Sequence, residues 1–322
     1  MISIAIATLN RAAELRQTLE SMRSLDVRGI EAFEIIVVDN GSIDETESVA
    51  AEFGAKFAGR LRYCRCGEQG LSHARNRAIA EARFPIIAFL DDDVHVHPGW
   101  LRTLADTFAS GDYAAVGGKA YLIYPHARPR WMSDRDERLL SKVDHGEERR
   151  IASAEDLFGL NLSLRRDWLD RVGLFRTDLG RTGTRLLGGE ETELLGRMSR
   201  AGATLLYEPA AVVGHRVAPE RLRRRWFLSR IYWGFRSEAQ FMPHEEGGWH
   251  GLTRMGWYAA CGVAACGAAL VCHGPHSPEM FAASKRVAAA VGKAIGIGGR
   301  LHANGWRIAR ESFAPSLENS QC

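Results

Sequence analysis

Residues 85–93 read Pro-Ile-Ile-Ala-Phe-Leu-Asp-Asp-Asp. An apolar run between a proline and an acidic cluster predicts a short strand buried on both faces. Unpaired charge in apolar surroundings is costly, so water or a cation must meet Asp91, Asp92 and Asp93. In open α/β sheets ligands bind outside the carboxyl ends of the strands, where this cluster falls. Oxygen-only ligation suits a hard divalent ion, Mg²⁺ or Mn²⁺, that also holds a phosphate. A solvated acidic turn leading into the next helix is the plainer alternative, and the flanking segments must decide.

On the amino side the pattern repeats. Ser3–Thr8 predicts a first strand, and Asn10 can cap a helix through Ser24 with Leu15, Leu19 and Met22 on one face. Glu34–Val38 is the second strand, closed by the turn Asp39-Asn40-Gly41-Ser42, and Asp44 starts a helix toward Phe53. Leu61–Cys66 is the third, Gly70 opens the helix Leu71–Ala82, and Pro98 begins another helix after the strand 86–90. Alternating strands and helices with short connections predict a parallel sheet with helices on both faces. No GxGxxG follows the first strand and no GxxxxGK[ST] occurs, against a dinucleotide dehydrogenase or a P-loop NTPase. A metal on Asp91 and Asp93 would answer phosphate charge instead.

Beyond residue 113 the pattern changes. Ala114–Gly118 and Phe158–Leu164 read as strands, separated by a Pro-, Arg- and acid-rich surface loop over 124–150. Arg166–Val172 is a short helix. Gly180–Gly189 has the composition of a mobile loop and ends at Glu190-Glu191, where a helix begins and runs to about Ala201. Ala203–Tyr207 is a strand, Pro209 a stop, and Val212–His215 a short extended piece.

The chain of 322 residues is 46% hydrophobic and 25% charged, ordinary for a globular protein. A net charge of +3 leaves no general affinity for nucleic acid. No basic n-region precedes Ile2–Ala7, and the cysteines, none in a CxxC pair, read as reduced and mostly buried. A cytoplasmic protein is expected.

These residues, taken together, resemble glycosyltransferase family 2 of the GT-A fold. The likeness runs in order through Thr8-Leu9-Asn10-Arg11, Ile35–Ser42, Ala74-Arg75-Asn76, Leu90–Asp93, Gly188-Gly189-Glu190-Glu191 and Tyr207-Glu208-Pro209 to His215, across roughly residues 1–240. Leu179–Gly183 and Arg225-Trp226-Phe227 resemble a bacterial polysaccharide-assembly branch. The resemblance implies an α/β GT-A fold: a mostly parallel, Rossmann-like central sheet flanked by helices, with a helical C-terminal appendage. It implies a catalytic domain over 1–220, whose 1–112 half binds the nucleotide sugar and whose 113–220 half binds the acceptor. A helical region over 221–310 and a tail over 311–322 would follow.

The implied activity is inverting, metal-dependent transfer of a sugar from a nucleotide-diphosphate donor to a hydroxyl on a glycan or lipid-linked acceptor. Glu191 would be the base, with Glu190 and Gly189 on the acceptor side. Thr8, Asn10, Arg11, Asp39, Asn40, Arg75, Asp91 and Asp92 would line the donor, Asp39 taking the ring N–H of the base and Arg75 reaching the diphosphate. Asp91, Asp93 and His215 would hold Mn²⁺ or Mg²⁺. Asn40 and Glu191 depart from the family's pattern, which often has Asp at each position.

Residues 221–236 interleave arginines with aromatics, suiting either an anionic membrane surface or packing on the catalytic domain. The uncharged run 255–272 is rich in alanine and glycine, which favours a peripheral or buried helix hairpin over a span. Peripheral contact with the inner face of the cell membrane is therefore a candidate location. A sugar-phosphate nucleotidyltransferase is the enzyme alternative, but it needs a glycine-rich basic loop where Thr8-Leu9-Asn10-Arg11 stands. A non-catalytic carbohydrate-binding protein is the other, and intact Asp91, Asp93 and Glu191 argue against it.

Overall fold

The computed structural model of the protein describes residues 1–183, 185–241, 249–273 and 277–312. They separate into two compact units, Met1–Phe227 and Leu228 onward. The break falls later than the expected one after residue 220. Phe227 is fully buried in the first unit, edge-on to Trp131 at 5.1 Å, so the Arg221–Phe227 stretch belongs there.

The first unit opens with β1 (Ile2–Thr8), α1 (Ala12–Met22), β2 (Phe33–Asp39), α2 (Thr46–Lys56), β3 (Leu61–Arg65), α3 (Leu71–Glu81) and β4 (Ile86–Asp91). β5 (Val94–Val96), α4 (Trp100–Ser110), β6 (Ala115–Ile123), β7 (Arg150–Ile151), β8 (Asn161–Arg165), α5 (Arg166–Val172), α6 (Glu190–Arg200) and β9 (Leu205–Arg216) follow, and α7 (Arg224–Phe241) crosses the boundary. Among the described residues nine strands form one sheet, ordered β3-β2-β1-β4-β8-β6-β9-β5, with β7 on β9. β3, β2, β1 and β4 are mutually parallel. Their apolar residues are buried on both faces, as sequences so poor in polar alternation require. The register sets Thr8 opposite Asp39 and Ala7 opposite Asp91, so three strands end level with one another.

Past β4 the sheet is mixed. β8 runs antiparallel to both β4 and β6, while β6 and β9 are parallel. Pro209 does not stop a strand: β9 continues through it, and its register against β6 jumps from Gly118–Glu208 to Ala120–Val213. A bulge tolerates a residue with no N–H to give. Asn161 secures it, donating to the Ala211 carbonyl at 2.8 Å while accepting from the Trp100 indole at 2.8 Å.

Other expectations need correction. Asn10 does not cap α1. It lies at φ 52° and accepts from the Ile43 N–H, while Asp44 takes the Ala12 N–H at 2.9 Å. The 180–189 loop is pinned at its start, where the Arg181 carbonyl accepts the Leu71 N–H and the Leu179 carbonyl accepts the Ser72 hydroxyl. None of the described cysteines is fully buried, and Cys261 and Cys272 are exposed.

In the second unit the 255–272 run is not a hairpin but part of one helix, α8 (Trp249–His273), which packs along α9 (Pro278–Ser312). Among the described residues no helix is long and apolar enough to cross a membrane. α9 takes in residues 311 and 312 of the expected tail, and the rest of that tail lies outside the described residues.

Candidate active site

The level ends of β1, β2 and β4 make the floor. Asp39 is buried: Oδ1 accepts the Gly41 and Ser42 N–H groups, and Oδ2 accepts the Tyr63 hydroxyl at 2.6 Å. Burial opposes its ionisation, but these donors outweigh that and lower its pKa. Asn40 ties the β2 end to the start of α3, donating to the Glu68 carbonyl and accepting the Gly70 N–H, each at 2.7 Å. The turn-forming role of Asp39-Asn40 is thus built into the fold.

The three aspartates have three environments. Asp91 is half-buried, 3.7 Å from the Arg75 guanidinium. Asp92 is buried, accepting the Thr8 hydroxyl at 2.7 Å and Arg11 Nη1 at 2.6 Å. Burial pushes its carboxyl up to about 7, against Arg11. Asp93 is 1% exposed; Oδ2 accepts Arg11 Nη2 at 2.9 Å and Arg221 Nη2 at 3.4 Å. Burial works against its charge, yet His215, Arg221 and Arg11 outweigh it and hold the pKa well below the usual range. Arg11 is therefore a clamp across two aspartates rather than a solvated first-turn residue.

His215 arrives from far along the chain because β5 pairs antiparallel with β9, setting Val94 opposite His215. Its Nδ1 lies 2.7 Å from the Leu140 carbonyl and its Nε2 3.3 Å from Asp93 Oδ2. Among the described residues no three acid, His or Cys side chains converge to hold a metal by themselves. The donor set still fits a hard divalent ion. Such ions take one or two carboxylates and complete their shell with water and substrate phosphate. Asp93 Oδ1 is buried with no hydrogen-bond partner.

The second acid run sits at the start of α6. Gly189 has φ 84°, a left-handed conformation that favours glycine, so a backbone requirement explains it without a substrate. Glu190 is 4% exposed and accepts Arg75 Nη1 at 2.8 Å, so it is an internal counter-ion rather than an outward acceptor contact. Burial, then the neighbouring Glu191, push its carboxyl up to about 7 against Arg75. Arg75 is itself buried, its guanidinium 5.9 Å from the Phe89 ring centroid and 5.6 Å from that of Phe175. It lies among the protein's own carboxylates, so any diphosphate contact must share it with Glu190 and Asp91. Glu191 is only partly buried, and its Oε2 has no hydrogen-bond partner.

Sequence reasoning missed Tyr63 and Arg221. Arg221 was indistinguishable from its arginine-rich neighbours; only its place six residues beyond His215 hinted at the site.

A mixed sheet with helices on both sides, open at its strand ends and carrying these two acid runs, defines a GT-A glycosyltransferase. The chain belongs to glycosyl transferase family 2, whose model matches residues 3–173. It is an enzyme of the glycosyltransferase class. It is 29% identical to the succinoglycan biosynthesis protein ExoM of Rhizobium meliloti over 84% of each chain. It is 25% identical to a glucosyl-dolichyl phosphate glucuronosyltransferase of Haloferax volcanii, over 72% of this chain and 74% of that one. Its fold matches a mannosyltransferase from Pyrobaculum calidifontis in complex with GDP-Man and Mn²⁺, with a TM-score of 0.57 at 20% identity over 91% of this chain and 86% of that one.

Proposed function

We propose that the first unit transfers a sugar from a nucleotide-diphosphate donor to a hydroxyl acceptor with inversion, in bacterial polysaccharide or glycoconjugate assembly. The observation that carries the mechanism is the contrast inside the Glu190-Glu191 pair. Glu190 is buried with Oε1 committed to Arg75, whereas Glu191 is only partly buried; the Oε2 of each has no hydrogen-bond partner. Glu191 takes the acceptor hydroxyl's proton, and the alkoxide attacks the anomeric carbon from the face opposite the leaving diphosphate. One displacement suffices, so no carboxylate nucleophile is needed. Thr8, Asn10, Arg11, Asp39 and Asn40 shape the donor side at the ends of β1 and β2, and Asp91 faces it from β4. Asp93 and His215, with Asp91 at the rim, would hold Mn²⁺ or Mg²⁺, which would supply Lewis-acid neutralisation of the diphosphate.

The 1–112 half serves the donor and the following half the acceptor. ExoM's likeness supports the polysaccharide setting. The second unit supports a peripheral membrane location, because Trp257, Val263 and Leu270 of α8 stand 65%, 60% and 48% exposed with no charge between them. Pelleting with anionic vesicles and release by salt checks that location; failure to pellet removes it. The test of the mechanism is Glu191→Gln, which keeps size and hydrogen bonding but cannot take the proton. Transfer should fall by about 10²–10⁴-fold with donor Kd unchanged. Near-normal turnover would move the base elsewhere.

A further inference from the structure

A carbonyl has only lone pairs, so the 2.7 Å contact between His215 Nδ1 and the Leu140 oxygen puts the imidazole proton on Nδ1. In the neutral ring Nε2 is then an acceptor, 3.3 Å from Asp93 Oδ2, which already accepts Arg11 Nη2 at 2.9 Å. A lone pair on Nε2 facing a carboxylate oxygen in a buried site needs a positive group beside it. Arg221 supplies it. Its Nη1 lies 3.0 Å from His215 Nε2 and its Nη2 3.4 Å from Asp93 Oδ2, so one planar fork spans both atoms. Nε2 has a single lone pair, which cannot serve the Arg221 guanidinium and a divalent ion together, whereas Asp93 keeps Oδ1 free of hydrogen bonds. Arg221 shares Asp93 Oδ2 with Arg11, which is the nearer donor at 2.9 Å against 3.4 Å.

We propose that Arg221 is the resident cation of the Asp93–His215 pair in the donor-free enzyme, and that it must withdraw before a divalent ion enters. This rests on the metal reading given above. Its consequence is ordered loading. Metal alone binds weakly because it must evict a guanidinium. Metal arriving with a diphosphate binds well, because the anion gives Arg221, alongside Arg11 and Arg181, a new partner.

The test is Mn²⁺ binding without nucleotide, followed by electron paramagnetic resonance, on the wild type, Arg221→Ala, Arg221→Gln and Asp93→Ala. Far-UV circular dichroism checks that each variant is folded, and Arg221→Gln keeps a shorter, uncharged polar side chain if the alanine variant does not fold. Both Arg221 variants should bind Mn²⁺ on the order of tenfold more tightly than the wild type, since the competing state is removed. Unchanged Mn²⁺ affinity in both, with affinity lost in Asp93→Ala, would overturn the proposal and leave the metal site standing. Wild-type affinity in Asp93→Ala would overturn the metal site itself and this inference with it.

Discussion

The two acid runs, Asp91–Asp93 and Glu190-Glu191, look alike in sequence and are used differently. At the end of β4, Asp92 and Asp93 are buried and wired to Arg11, with Arg221 and His215 also on Asp93. At the start of α6 Glu190 is buried on Arg75 while Glu191 is only partly buried, and the Oε2 of each is left without a partner. Arg75 joins the runs, 2.8 Å from Glu190 and 3.7 Å from Asp91. The lesson is that an acid's worth to chemistry depends on how many of its lone pairs the fold has already used.

The contrast can be broken most severely at Asp93. Asp93→Ala strips the counter-charge from two guanidiniums in a buried site, and should cost about 3–5 kcal/mol of stability in denaturant unfolding. A loss below 1 kcal/mol would mean the aspartate is solvated as a strand-end acid alone would suggest. The next effect is in pH. A Glu190 carboxyl raised from 4.5 to about 7 binds its proton more tightly folded than unfolded. That contribution is complete below pH 4.5 and is lost as pH rises through 7, on the order of 3 kcal/mol at most. Glu190→Gln should flatten the stability profile across that window, and an unchanged slope would remove the assignment.

A smaller effect is expected at Gly159, where an added Cβ would sit 2.2 Å from Arg75 Nη2. The guanidinium cannot swing away from Glu190, Phe89 and Phe175 without exposing a buried carboxylate. Gly159→Ala should therefore cost about 1–3 kcal/mol and lower transfer as well. A stable, fully active variant would show that the joint between the runs is slack. The smallest stability effect belongs to Glu191→Gln, within about 0.5 kcal/mol, although it is the variant that silences transfer. Equal destabilisation by Glu191→Gln and Asp93→Ala would erase the distinction between the runs.

Much of this was legible early because it is local. Ile86–Leu90 is too uniformly apolar to be anything but a buried strand, and successive short connections leave little choice but parallel pairing for β1 to β4. Pro209 misled because a proline's missing N–H forbids a regular ladder but not a bulge, and only pairing with β6 reveals one. Asn10 misled because a side chain that can cap a helix can also brace a neighbouring turn, and Asp44 had taken the cap.

The sequence by itself determined the alternation of β1 to β4 with their helices, the acid runs and the family to which they belong, since each is carried by neighbours in the chain, whereas the short β5 and β7 were not legible. Only the tertiary structure decided which acids are spent. Arg75 meets Glu190 across 115 residues, and Arg221 meets Asp93 across 128. Charge pairing in a buried site depends on distance in space, and the antiparallel pairing of β5 with β9 set that distance for His215.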